Sequence, residues 1–200
     1  MSTTSTLENG LVVNFSPLAT KVSDEEFADL CRLNPELQFE RTSEGELVIM
    51  APTGGKTGRR NFELIGAFAL WTKNDGTGLG FDSSTLFTLP NTAKRSPDVA
   101  WVRNDRWNAL SSQEQEQFPP VCPDFVVELR SRTDSLRNLK EKMEEYISNG
   151  AELGWLIDPS DRRVHVYRAD GAPEVLEDPK EVSGEPLLGG FVLDVQALWD

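Results

Sequence analysis

Residues 124–158 constrain the fold more than any other stretch. "DFVVEL" is an apolar run of strand length, rich in β-branched residues. "DSLRNLKEKMEEYISNG" follows it. There Leu136, Leu139, Met143, Tyr146 and Ile147 recur every three or four residues and form one helical stripe. Asp134 is placed to cap that helix and Gly150 to end it. "AELGWLID" is then a second apolar strand. Two strands separated by a helix cannot form a hairpin. They pair in parallel through a crossover, so the block predicts a βαβ unit.

The flanking pattern is antiparallel. "LQFER" and "ELVIM" alternate around "TSEG", and "AELGWLID" and "RRVHVYRA" are joined by "PSD". A parallel pair between hairpins predicts an α/β fold with a mixed central β-sheet flanked by helices. We expect one domain over residues 21–200, preceded by a loose arm over 1–20. "SDEEFADLCRLNP" predicts a short helix capped by Ser23 and stopped by Pro35. "APTGGKTGRR" is expected to be a loop. "RRNFELIGAFALWTKNDG" predicts a helix that turns Phe62, Ile65, Phe68 and Ala69 inward and ends at Gly76.

Composition narrows the functional classes. The chain has 200 residues, 38% apolar, and a formal net charge of −13. Such a charge disfavours non-specific attraction to phosphate or to anionic lipid. A nucleic-acid partner therefore needs a local basic surface or a bound cation. Cys31 and Cys122 stand far apart in no metal-ligand spacing, as suits a reducing compartment. The polar start shows no signal peptide, and no apolar run approaches the roughly 18 residues needed to cross a bilayer. The expected location is cytoplasmic, with no membrane partner.

Several motifs lead nowhere specific. "GGKTG" at 54–58 lacks the glycine a phosphate loop needs five residues before its Gly-Lys pair, where Met50 stands. Lys56, Arg59 and Arg60 nevertheless offer a basic rim for phosphates. His165, the single histidine, shares a strand face with Arg163 and Tyr167 and is expected at the surface. One histidine leaves no triad and no histidine-based zinc site.

Carboxylates remain. Asp98 opens the apolar strand of "RSPDVAWV", and Glu128 lies in "FVVELR" two residues before Arg130, on the same face. A carboxylate in apolar surroundings is costly unless paired. Two of them roughly 4 Å apart repel by about 4 kcal/mol at an effective dielectric near 20. Either each holds its own arginine, from Arg95, Arg103 or Arg130, or a hard divalent cation such as Mg2+ sits between them.

Pro97-Asp98 followed by Glu128-Leu129-Arg130 resembles the signature of the PD-(D/E)XK nuclease superfamily. "GELVIMAPTGG", "RSPDVAWV", the block from Pro123 to Pro159 and "RRVHVYR" together resemble its restriction-endonuclease-like branch, over residues 36–168. The resemblance implies metal-dependent hydrolysis of a nucleic-acid phosphodiester, DNA above RNA. Asp98, Glu128 and the carbonyl of Leu129 would bind Mg2+ or Mn2+. A homodimer is implied by analogy with nucleases that cut both strands.

The chain departs from that signature at its lysine. Arg130 occupies the place, and an arginine stays protonated, so it can stabilise a phosphate but not act as a base. The branch commonly carries a lysine displaced into the following helix, which Lys142 matches. Lys140 flanks the opposite edge of the stripe, and periodicity alone does not choose between them. Thr57 stands where relatives often have a histidine. Glu46 stands in a strand where they often have an acid, so it either approaches the metal or lies exposed on the hairpin. The Arg130 substitution and the net charge also suit a catalytically degenerate binding or dimerisation module. A hydrolase of a small phosphorylated metabolite would share the same metal site.

Overall fold

The computed structural model describes residues 21–50 and 52–199, together with the backbone of two short strands, β1 (Thr6–Leu7) and β2 (Gly10–Leu11), which pair antiparallel. The rest of the arm expected over 1–20 lies outside the described residues. Next come α1 (Asp24–Leu33), β3 (Gln38–Arg41), β4 (Leu47–Met50) and α2 (Gly55–Asp75). β5 (Gly78–Asp82), β6 (Phe87–Thr88), β7 (Lys94–Arg95) and β8 (Val99–Arg103) follow, then α3 (Asn104–Asn108) and α4 (Ser112–Glu116). β9 (Phe125–Leu129), α5 (Leu136–Ser148), β10 (Leu153–Asp158), β11 (Arg163–Arg168) and β12 (Glu174–Glu177) complete the main sheet. β13 (Glu181–Ser183) and β14 (Val192–Asp194) form a hairpin near the end.

The main sheet has the order β12-β11-β10-β9-β8-β5. β9 and β10 run parallel and every other neighbouring pair runs antiparallel. This is the mixed sheet that the 124–158 block demands, with α5 as its crossover. Helices cover both faces. Phe125, Val127 and Leu129 of β9 face Leu64 and Phe68 of α2, while Val126 faces Met143 and Tyr146 of α5. Strand alternation therefore puts Glu128 on the α5 face. A second sheet, β4-β3-β7-β6, packs Phe39 with Phe27 of α1.

Four sequence expectations change. The glycine-rich segment after Pro52 is not all loop, because α2 begins at Gly55 and absorbs "GKTGRR". Its inward stripe is Leu64 and Phe68, with Ile65 and Trp71 partly buried, whereas Phe62 is 77% exposed. An earlier start leaves the helical phase set by the sheet beneath, and Phe62 and Ala69 rotate outward. α5 is capped by Ser135 rather than Asp134; the Ser135 hydroxyl accepts from the Asn138 N–H, and Asp134 instead accepts from the Ser131 N–H. His165 is buried, not at the surface: its strand face lies opposite Leu156 and is covered by α5. Burial first, then nearby Lys140, lowers its proton affinity.

Candidate active site

The site lies at the seam between the two sheets. β7 belongs to the small sheet and β8 to the large one, with only Ser96, Pro97 and Asp98 between them. Pro97 keeps Ser96 extended, and the chain passes from one sheet to the other with Asp98 at the junction. Val99 pairs with Val127, so extending that register sets Asp98 opposite Glu128. Both follow the parity of residues facing α5. The two acids share one face of the sheet.

Neither acid holds an arginine among the described residues. Asp98 accepts from the Leu129 N–H at 2.7 Å and from the Asn61 side-chain amide of α2 at 3.3 Å. Glu128 accepts from the Tyr146 hydroxyl at 3.1 Å and pairs with the Lys142 ammonium at 2.8 Å. The arginines that could have neutralised them are committed elsewhere. Arg95 pairs with Glu40 and Glu145, Arg103 with Asp124 and Glu152, and Arg130 with Asp158.

The electrostatics reflect crowding. Burial raises the Glu128 carboxyl to about 7, with Lys142 opposing and Asp98 and Glu40 adding repulsion. Burial likewise raises Asp98, against the Leu129 N–H, Lys142 and Asn61. Burial pulls the Lys142 ammonium down, but Glu128 and Glu40 outweigh it and hold it above its ordinary range. Lys142 is thus a donor and a positive charge, not a base, in this arrangement.

Asp98, Glu128, Leu129 and Lys142 all line one cleft of about 1580 Å3. Lys142 and Tyr146 lie one turn apart on α5, so both reach the same carboxylate. Lys140 lies on the other edge of the helix, near His165. Arg130 continues β9 onto the same face but turns to Asp158, at 2.6 Å, and does not line the cleft. Glu46 is exposed on the hairpin rim of the cleft. The acid that reaches the site from the first hairpin is Glu40, which is 2% exposed. It accepts from the Ser96 N–H and from Lys142, each at 2.8 Å, and from Arg95 at 3.2 Å. Sequence reasoning missed Glu40 and Asn61, and offered Arg95 only as a partner for Asp98 or Glu128, whereas it pairs with Glu40 and Glu145. The signal for Glu40 was a carboxylate in the middle of a four-residue strand.

Lys56 and Arg60 line the same cleft, at the start of α2. Gly54 caps that helix without a side-chain hydrogen bond, and its first turn carries no acid, so its N-terminal N–H groups retain the positive end of the dipole. The cleft as a whole is nonetheless acidic: among the described residues lining it, eight carboxylates face five cations.

These features fit a divalent cation, which the fold family implies. Two hard oxygen donors repel each other on one face, and burial makes their shared negative charge costly. The Asn61 Oδ1 beside Asp98 is buried without a hydrogen-bond partner, an acceptor suited to a cation's water. Among the described residues no group of three or more His, Cys, Asp or Glu side chains is drawn together as a metal cage, so such an ion would rest on few protein ligands.

Comparison with known proteins identifies the family and the fold. A solved structure titled a putative nuclease belonging to DUF820, from Anabaena variabilis ATCC 29413, superposes with a TM-score of 0.69 and 21% identity, over 82% of this chain and 90% of that one. At that identity the likeness establishes the fold alone. No curated protein matches the chain. The model of the Uma2 family, described as "Putative restriction endonuclease", matches residues 24–196. With most of its length matched, the chain belongs to the Uma2 family.

Proposed function

We propose that the chain is a divalent-cation-dependent nuclease that hydrolyses phosphodiester bonds, with DNA as substrate. The observation that carries this reading is that Asp98 and Glu128 share one face, hold no arginine among the described contacts, and have Lys142 beside them. Asp98 and Glu128 would hold Mg2+ or Mn2+, with the Leu129 carbonyl at hand. When bound, such an ion supplies Lewis-acid polarisation of the phosphate and lowers the pKa of a water.

The chain's own groups do the rest. Asn61 and the Leu129 N–H fix the Asp98 carboxylate. Tyr146 donates to Glu128 and orients it. The Lys142 ammonium offers a fixed positive charge to the charge developing on phosphorus oxygens. Lys56, Arg60 and the start of α2 would receive flanking phosphates. Two-fold pairing of the chain would let a double strand be cut on both sides. Free cysteines, Cys31 half-buried and Cys122 buried, suit a cytoplasmic setting, and no helix among the described residues is long and apolar enough to cross a membrane. The acidic lining of the cleft favours a second reading, a catalytically degenerate binding or dimerisation module of the same fold.

Nicking of supercoiled plasmid with Mg2+ or Mn2+ separates the two. The wild type is expected to nick, and Asp98→Asn and Glu128→Gln to lose about a thousandfold or more, equivalent to ~4 kcal/mol of transition-state stabilisation. Nicking that survives both substitutions overturns the assigned roles. A folded wild type that binds no Mn2+ leaves the degenerate module.

A further inference from the structure

Glu40 is committed on both of its oxygens. The backbone N–H of Ser96 and the Lys142 ammonium share Oε1, and Arg95 holds Oε2. Arg95 is itself braced by Glu145, and Glu145 accepts from the Asn91 amide at 2.9 Å. With a backbone donor and a partly buried guanidinium fixing it, Glu40 is not free to swing toward the acid pair. Its partners outweigh burial and hold its carboxyl below the usual range, so its negative charge is constant.

The ammonium of Lys142 is therefore shared. On one side is Glu40, carried by the small sheet; on the other is Glu128, carried by the large sheet, both at 2.8 Å. An ammonium and a divalent cation are alternative counter-charges for Glu128. The more fully Lys142 neutralises Glu128, the less that acid has to offer a cation.

We propose that Glu40 is a positioning residue that acts through Lys142: it draws the ammonium across the seam between the sheets and so sets the affinity of the Asp98–Glu128 pair for a divalent cation. This rests on the reading of those two acids given above. If Glu40 is neutralised, Lys142 falls back on Glu128 alone and cation affinity drops. If Lys142 is removed, Glu128 is released and affinity rises. Because Glu40 works mainly through Lys142, most of its effect disappears once Lys142 is gone.

The test is a double-mutant cycle on the full chain, with Mn2+ as probe and free Mn2+ read by electron paramagnetic resonance. Glu40→Gln is expected to weaken binding about tenfold. Glu40→Asp, which keeps the charge and loses reach, is expected to weaken it in the same direction. Lys142→Met is expected to tighten it, and Glu40→Gln in the Lys142→Met background to cost about twofold or less, the direct field of Glu40 alone. Circular dichroism confirms folding; should Lys142→Met not fold, Lys142→Gln takes its place in the cycle. An equal loss from Glu40→Gln in both backgrounds means a direct ligand or a general field effect and overturns the proposal. So does a wild-type affinity for Glu40→Asp, or a change confined to melting temperature. A wild type that binds no Mn2+ removes the cation site and this proposal together, whereas wild-type binding with a failed cycle removes only this one.

Discussion

The backbone N–H of Leu129 donates to Oδ2 of Asp98 at 2.7 Å, so the last residue of β9 holds the acid that opens β8. The second donor on Asp98 is weaker and comes from α2, the Asn61 amide at 3.3 Å. Asn61→Ala removes it and leaves Asp98 anchored from one side. A hydrogen bond to a charged group contributes ~1.5–3 kcal/mol, and the length of this one places it at the low end, about tenfold. We expect Mn2+ affinity to fall by that factor while urea unfolding changes little. An unchanged affinity would show that Leu129 alone suffices.

Arg130 stands where the signature has its lysine, yet it serves the fold. Its guanidinium meets fully buried Asp158, whose other partners are the N–H groups of Ser160 and Asp161. Arg130→Met strands that carboxylate and is expected to cost ~3 kcal/mol in urea unfolding. Mn2+ affinity should stay within about twofold of wild type. Lost metal binding with intact stability would return Arg130 to the cleft.

Glu128 makes stability depend on pH in an unusual sense. Its carboxyl titrates near 7 in the folded chain, against an ordinary value of 4.5. Between those values the folded chain binds more protons than the unfolded chain, so stability falls as pH rises through that window and levels off above it. Glu128→Gln is neutral throughout. It should melt several degrees above wild type at pH 8, by up to roughly 3 kcal/mol, with the gap closing toward pH 5. Thermal melts across that range, without divalent cations, measure it; a constant gap would refute the shift.

Two glycines within strands of the main sheet should respond differently to a methyl group. At Gly78 a Cβ would meet the Trp101 ring at 2.5 Å and the Val102 carbonyl oxygen at 2.5 Å, neither of which can move away. At Gly154 it would meet Cε of Met143, the free end of a flexible side chain. Gly78→Ala is expected to cost ~3 kcal/mol or more and Gly154→Ala ~1–2 kcal/mol. Chemical denaturation of both variants ranks them, and the reverse order would refute the packing argument.

The β9-α5-β10 unit was legible because its strands and helix carry opposite periodicities in unbroken succession. Asp98 and Glu128 were legible as acids ending apolar strands, and the resemblance picked out Lys142. What stayed hidden depends on tertiary pairing. Glu40 looks like any solvent-facing strand residue until β3 docks beside β7 and delivers Arg95. Asn61 lies in a stretch read as the start of a helix, and only the longer α2 aims it at Asp98. Tyr146 was counted as core, which it is, but its hydroxyl donates to Glu128. Phe62 misled because a helix's phase is set by what it lies on, not by its most apolar residue.

Met143 rests directly over Gly154, a position without a side chain, and that gap lets α5 settle close to β10. The residue before Met143 is Lys142 and the one three after it is Tyr146. The depth at which one methionine seats against one glycine therefore sets how far both polar tips extend toward Glu128. The helix behaves as a lever whose fulcrum is greasy and whose tip is charged, and side-chain volume at the fulcrum becomes a means of tuning chemistry without touching a single polar group.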